Sequence, residues 1–276
     1  MMINQELDCR GLFDSHAHYF DKKFDAEGGA DAVLSKEVFG KGVAAVVNVA
    51  TNPENAKRCL EQAKKYPAMY TALGIHPEDV QHLTVSIDEA LAELCALMDT
   101  PEKRKEGKII ALGEIGLDYY WQPCDKALQA ELFEKQLLLA EEWDLPVLIH
   151  DREAHGDSFE TVLRHPKVRG VFHSFSGSAE MAKELVRHGW YISFSGVLTF
   201  KNARKVREVA AVVPHDRILV ETDAPYLSPE PFRGKINHSG RMAETVAVLS
   251  EQIGLSYAEM VSLTAENARR LFALTQ

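Results

Sequence analysis

Short apolar runs recur along the chain, and between them lie longer stretches where apolar positions return every three or four residues. The run at 42–49 is apolar at almost every position, which suits a strand buried on both faces of a parallel sheet. Similar runs at 12–18, 69–77, 109–114, 146–150, 170–173, 190–195 and 217–223 predict seven further strands. Helical periodicity predicts helices over 28–40, 52–66, 86–98, 125–143, 157–164, 178–188, 202–213, 240–253 and 257–274. Asn52 followed by Pro53 is a helix start, and Ser86 with Glu89 has the spacing of a capping box. The charged stretch 100–108 reads as an exposed connection. Strand and helix therefore alternate eight times. This pattern predicts an α/β fold, a single (β/α)8 TIM barrel with an extra C-terminal helix, occupying 1–276 as one domain. No Gly-x-Gly-x-x-Gly follows the first strand, which argues against a dinucleotide-binding sheet.

In such a barrel the chemistry gathers at the C-terminal ends of the strands. Reading each strand to its end gives His16 and His18 on the first, His76 on the third and Glu114 on the fourth. His150, His173 and Asp223 close the fifth, sixth and eighth. Asp14, His16 and His18 alternate along one strand and so share a face, where two imidazoles can grip one metal ion. An isolated His-x-His also describes two surface histidines. Convergence of six or seven such groups at one rim is different, because they would be hard to stabilise together without a cation.

Ligand counting suggests two divalent ions. Mixed imidazoles and carboxylates suit Zn, Mn, Fe or Ni, with Mg less natural at so many nitrogens. Glu114 has two oxygens and can bridge; His16, His18 and Asp223 would hold one ion, and His150 and His173 the other. Two ions so placed activate a water for hydrolysis, with Asp223 available as general base. Glu221, one pleat deeper than Asp223, is expected inside the barrel as a partner to a ligand. His82, His155, His165, His188, His215 and His238 fall in helices or loops, where a solvated or capping role is expected, although His155 could add a loop contact.

The 276 residues are 46% hydrophobic and carry a net charge of −10, which argues against a nonspecific DNA-coating protein. Local phosphate recognition by cations is compatible with that charge. The four cysteines have no Cys-x-x-Cys spacing, and the N-terminus has no basic region followed by an apolar run. No stretch approaches a membrane span, so a cytoplasmic protein is expected, with no membrane association and no obligate protein partner evident.

Six segments together resemble one family. They are Asp14-Ser15-His16-Ala17-His18, Gly74-Ile75-His76-Pro77, Gly113-Glu114-Ile115-Gly116-Leu117-Asp118, Pro146-Val147-Leu148-Ile149-His150-Asp151-Arg152, His173-Ser174-Phe175-Ser176-Gly177 and Glu221-Thr222-Asp223-Ala224-Pro225-Tyr226-Leu227. This set resembles the TatD family of metal-dependent deoxyribonucleases within the amidohydrolase superfamily. The resemblance implies a TIM barrel and hydrolysis of DNA phosphodiesters, typically 3′→5′ from short or single-stranded ends. It implies His16, His18, Glu114, His150, His173 and Asp223 as metal ligands, with His76 and Arg233 approaching the substrate phosphate. From the residues alone, Arg233-Gly234-Lys235 is a phosphate contact or a solvated basic turn. The sequence departs from the family pattern at Ile236-Asn237-His238-Ser239-Gly240, where an Arg-Asn-Glu-Pro-like stretch is usual. The departure bears on the substrate more than on the metal site. An amidohydrolase or lactonase acting on a small ester or amide is the alternative on the same fold, and a metal-storage or scaffold protein the non-enzymatic one.

Overall fold

Eight strands are paired in parallel in chain order, one to the next, in the computed structural model, which describes residues 7–274. They are β1 (Phe13–Ala17), β2 (Ala45–Val49), β3 (Met69–Leu73), β4 (Ile109–Asp118), β5 (Val147–Arg152), β6 (Gly170–Phe172), β7 (Tyr191–Phe194) and β8 (Ile218–Val220). The ring closes where the chain beyond β8 returns to β1. There the Asp223 N–H donates to the His16 carbonyl (2.9 Å), and the His18 N–H to the Ala224 carbonyl (2.7 Å). The expected TIM barrel is the fold.

The helices are α1 (Ala30–Val33), α2 (Pro53–Lys65), α3 (Ile87–Cys95), α4 (Pro101–Glu106), α5 (Lys126–Trp143), α6 (His155–Leu163), α7 (Ala179–Arg187), α8 (Arg204–Ala210), α9 (Met242–Ile253) and α10 (Tyr257–Leu271). Capping boxes open α2, between Asn52 and Asn55, and α3, between Ser86 and Glu89. Alternate strand positions build two layers. Val46, Leu112, Ile149 and Phe172 are buried with Phe133, Leu137 and Leu185 of the surrounding helices. Phe13, Val47, Leu148 and Leu219 belong to an interior cluster that includes Ala265, Ala268 and Leu271 of α10. Phe272, just past α10, stacks on Phe13 (centroids 6.1 Å apart), and Asn267 donates to the carbonyl of Ile218 (2.9 Å). The C-terminal helix is thus the floor of the barrel.

Several expected boundaries move. The stretch 100–108 contains the short helix α4, its first turn capped by Thr100, so the connection is not irregular throughout. The fourth strand does not stop at Glu114 but runs to Asp118 beside β5. The ladder of the eighth ends at Val220, and Asp223 follows it with a positive φ of 58°. The sixth helix begins at His155.

Two glycines allow β4 to lie where it does. A Cβ on Gly74 would meet the Gly113 carbonyl carbon at 2.6 Å and the Glu114 nitrogen at 2.9 Å. Gly116 has φ +144°, and a Cβ there would collide with the backbone carbonyl of His150. Gly116→Ala combines steric overlap with left-handed strain, at a cost of about 2 kcal/mol or more. It should lower Tm by roughly 4–8 °C in thermal denaturation; an unchanged Tm would show that β4 and β5 are not pressed together here.

Candidate metal centre

The β1 backbone brings His16 and His18 to the mouth one after the other, and both are buried. Asp14, below them, is no ligand. Its Oδ1 accepts the backbone N–H groups of His16 (3.2 Å) and Thr222 (3.1 Å), and its Oδ2 the Thr222 hydroxyl (2.6 Å). That carboxylate pins β1 to the segment carrying Asp223. Burial pushes Asp14 up to about 7 despite those hydrogen bonds.

Glu114 rises from β4 into the centre and turns its two oxygens to two different clusters. Oε2 lies 3.3 Å from His16 Nε2 and 3.4 Å from His18 Nε2. His18 Nε2 is 3.1 Å from His16 Nε2 and 3.3 Å from Asp223 Oδ1. Oε1 lies 2.7 Å from His150 Nδ1 and 2.8 Å from His173 Nε2, and those nitrogens are 3.2 Å apart. His76 Nε2 is 3.6 Å from the same oxygen.

This donor set fits divalent cations. Bonds of about 2.0–2.1 Å in a tetrahedron put neighbouring ligand atoms about 3.3–3.4 Å apart. Three edges of the first cluster have that spacing, while His16 Nε2 to His18 Nε2 is shorter, at 3.1 Å, and His16 Nε2 to Asp223 Oδ1 longer, at 3.9 Å. The rings are also turned for ligation. His18 Nδ1 sits 2.8 Å from the Val49 carbonyl and donates to it, so Nε2, which faces Glu114 and Asp223, is the nitrogen free to ligate once a cation displaces its proton. His150 holds Asp118 with its other nitrogen (2.9 Å), and His173 holds Glu221 (3.2 Å). Glu221 is fully buried, the interior partner expected.

With protons as the only counter-charge, the cluster sorts itself by environment. Burial alone would raise Glu114, but the imidazoles of His173, His16 and His76 and the hydrogen bond from His150 hold it well below the usual range. Burial opposes charge on His150, yet its hydrogen bonds to Asp118 and Glu114 raise it to about 9. Against the same burial, Glu114 and Glu221 raise His173 well above the usual value. Burial and the neighbouring His150 push His76 down to about 3, so it is neutral. Its Nδ1 accepts the Glu78 backbone N–H (3.1 Å), which leaves the proton on Nε2, facing Glu114.

His16, His18, Glu114, His150, His173 and Asp223 therefore meet, with His76 beside them. Most of them, with Asp118, Trp121, Arg152 and Tyr226, line a cavity of about 500 Å³. Arg233 is exposed with its guanidinium over the Phe200 ring (4.4 Å) and does not line this cavity. Asp118 lies past the apolar run that predicts the fourth strand to end at Glu114; the period of two from Glu114 through Gly116 to Asp118 points to it. His155 bonds Asp151 (2.7 Å), and His165, expected to be solvated, is buried against Glu134 (2.9 Å).

Buried imidazoles and carboxylates at the open mouth of a (β/α)8 barrel define a class, the metal-dependent hydrolases of this fold. A family model described as TatD related DNase matches residues 13–273. YabD of Bacillus subtilis (strain 168), named an uncharacterised metal-dependent hydrolase, is 38% identical over 95% of this chain and 99% of its own. YcfH of Escherichia coli (strain K12), named likewise, is 35% identical over 95% of each chain. The crystal structure of YjjV, a TatD homologue from Escherichia coli K12, superposes with a TM-score of 0.86 at 32% identity, covering 98% of this chain and all of the other. The chain belongs to the TatD family of metal-dependent hydrolases. Among the described residues, no helix is long and apolar enough to cross a membrane.

A protonated imidazole cannot ligate, so an entering cation must expel the protons that His150 and His173 hold. Apparent metal affinity should therefore rise with pH from neutrality at least to about 9, the value for His150. Calorimetric titration of the metal-free protein at neutral pH, in two buffers of different ionisation enthalpy, should show net proton release; none would contradict this protonation state.

Proposed function

We propose that the protein is a deoxyribonuclease that hydrolyses phosphodiester bonds in the 3′→5′ direction from short or single-stranded DNA ends. The observation that carries this reading is Glu114, one carboxylate offering each oxygen to a separate set of nitrogens. A pair of ions is the natural occupant, one with His16, His18 and Asp223 and one with His150 and His173. Bound there, two divalent cations would supply Lewis-acid activation of water and neutralise charge on an in-line displacement.

The chain's own groups supply the rest. Asp223, its carboxylate facing the cavity, takes the proton of the attacking water. Burial would raise its pKa, but the hydrogen bond from His18 and the neighbouring imidazoles keep it below the usual value, ready to accept. Neutral His76 directs Nε2–H into the cavity as a donor to a phosphate oxygen, and Arg152 brings a cation to the same lining. In this reading Arg233, outside the cavity lining, contacts a phosphate of a strand that continues beyond it. The description of the matching family model agrees with this substrate.

One observation favours the amidohydrolase or lactonase reading. Asp21, Glu78, Asp79 and Asp118 line the cavity beside Glu114 and Asp223, and so many carboxylates repel a polyanion unless cations offset them. A panel of single-stranded DNA, bis-p-nitrophenyl phosphate and a lactone, assayed with the metal-loaded protein, separates the two; turnover of the lactone alone would replace the nuclease reading.

Glu114→Ala should abolish hydrolysis and reduce bound metal by more than the roughly 10- to 100-fold that loss of an orienting partner costs. Circular dichroism should show the barrel intact. Full turnover by this variant would rule out the bridging role.

A further inference from the structure

Six large apolar or aromatic side chains are exposed among the described residues. The aliphatic ones, Val85, Leu128 and Leu138, lie apart from the cavity lining, whereas Trp121 (47% exposed) and Tyr226 (39%) line it and Tyr120 (52%) abuts Trp121. Single exposed apolar residues need no explanation; a group of rings at one mouth does.

The rings are held in place. Tyr120 meets Trp121 edge to face, with centroids 4.9 Å apart and planes at 86°. The Arg152 guanidinium lies over both, 4.0 Å from the Tyr120 centroid and 5.3 Å from that of Trp121. Arg152 is two residues past the ligand His150, so this arrangement is tied to the metal centre through β5. Across the ligands, Phe20 and Tyr226 stand edge-on to the His18 imidazole at 5.6 and 6.5 Å. The Tyr226 hydroxyl donates to Asp21 (2.6 Å), and Lys23 sits 3.9 Å above the ring. The cavity is thus flanked by aromatic walls, each backed by a cation.

A flat ring beside a phosphate site is what a nucleobase stacks on, whatever its identity, because every base has a π-face. We propose that Trp121, oriented by Tyr120 and Arg152, is the platform for the base attached to the scissile phosphate. Preference for phosphodiesters that bear a base then rests on this side chain. The proposal rests on the phosphodiesterase reading and adds to it a specificity-determining residue.

The test compares wild type, Trp121→Ala and Trp121→Phe, metal-loaded, on a single-stranded oligonucleotide and on one of equal length and charge with abasic residues at its 3′ end. For the normal oligonucleotide, Trp121→Ala should raise KM roughly 5- to 150-fold, the range for losing one stacking ring. Its kcat should change little, and Trp121→Phe should stay near wild type. All three proteins should handle the abasic oligonucleotide alike. Independently of turnover, a hydrolysis-resistant phosphorothioate oligonucleotide should quench tryptophan emission in wild type but not in Trp121→Phe, since Trp190 is buried and Trp143 lies away from the cavity lining. DNA cleavage with unchanged KM in Trp121→Ala would overturn the role of Trp121 and leave the phosphodiesterase reading standing. No cleavage of any oligonucleotide by wild type would overturn both.

Discussion

A single buried carboxylate, Glu114, sits in contact with imidazoles from β1, from the loop after β3, from β5 and from the segment after β6. Removing such a charge from water costs several kcal/mol even after relaxation, and only positive charge close by can offset it. The protein offers that charge in one of two forms, protons on His150 and His173 or cations between the same atoms. Neighbouring groups serve this arrangement. Asp118 and Glu221 steer the rings from behind, and the Val49 carbonyl fixes the tautomer of His18.

The closure of the barrel and the placing of the candidate ligands are one event. β1 and β8 are farthest apart in sequence, and the backbone bonds that join their ends run through His16, His18, Asp223 and Ala224 themselves. Asp14 strengthens that join from beneath through Thr222. Long-range pairing of this kind carries a loop-closure cost that grows only slowly with length. These side chains therefore come into register only when the last strand has docked on the first.

His16, His18, Glu114, His150, His173 and Asp223 were legible because a parallel barrel sends every strand end to one rim. Apolar runs mark strands, and the polar residue that ends a run marks the rim. What was not legible depends on tertiary contact. Asp118 was hidden because β5 pairs with β4 beyond the point where the apolar pattern of β4 gives way. His165 looks like any loop histidine until Glu134 of α5 is brought against it. The charged stretch with α4 has no apolar face to announce a helix, and its cap at Thr100 is the main local signal. Trp121 and Arg152 meet only because the loop after β4 folds over the end of β5.

The seating of α10 under the strands, with Phe272 against Phe13, makes the barrel a cul-de-sac. Whatever reaches Glu114 enters past the rim and must back out by the same route. Departure of one fragment and arrival of the next therefore compete for one doorway, and a fragment that clings to the walls slows the following cycle. The side chains that improve capture thus set an upper bound on throughput as well.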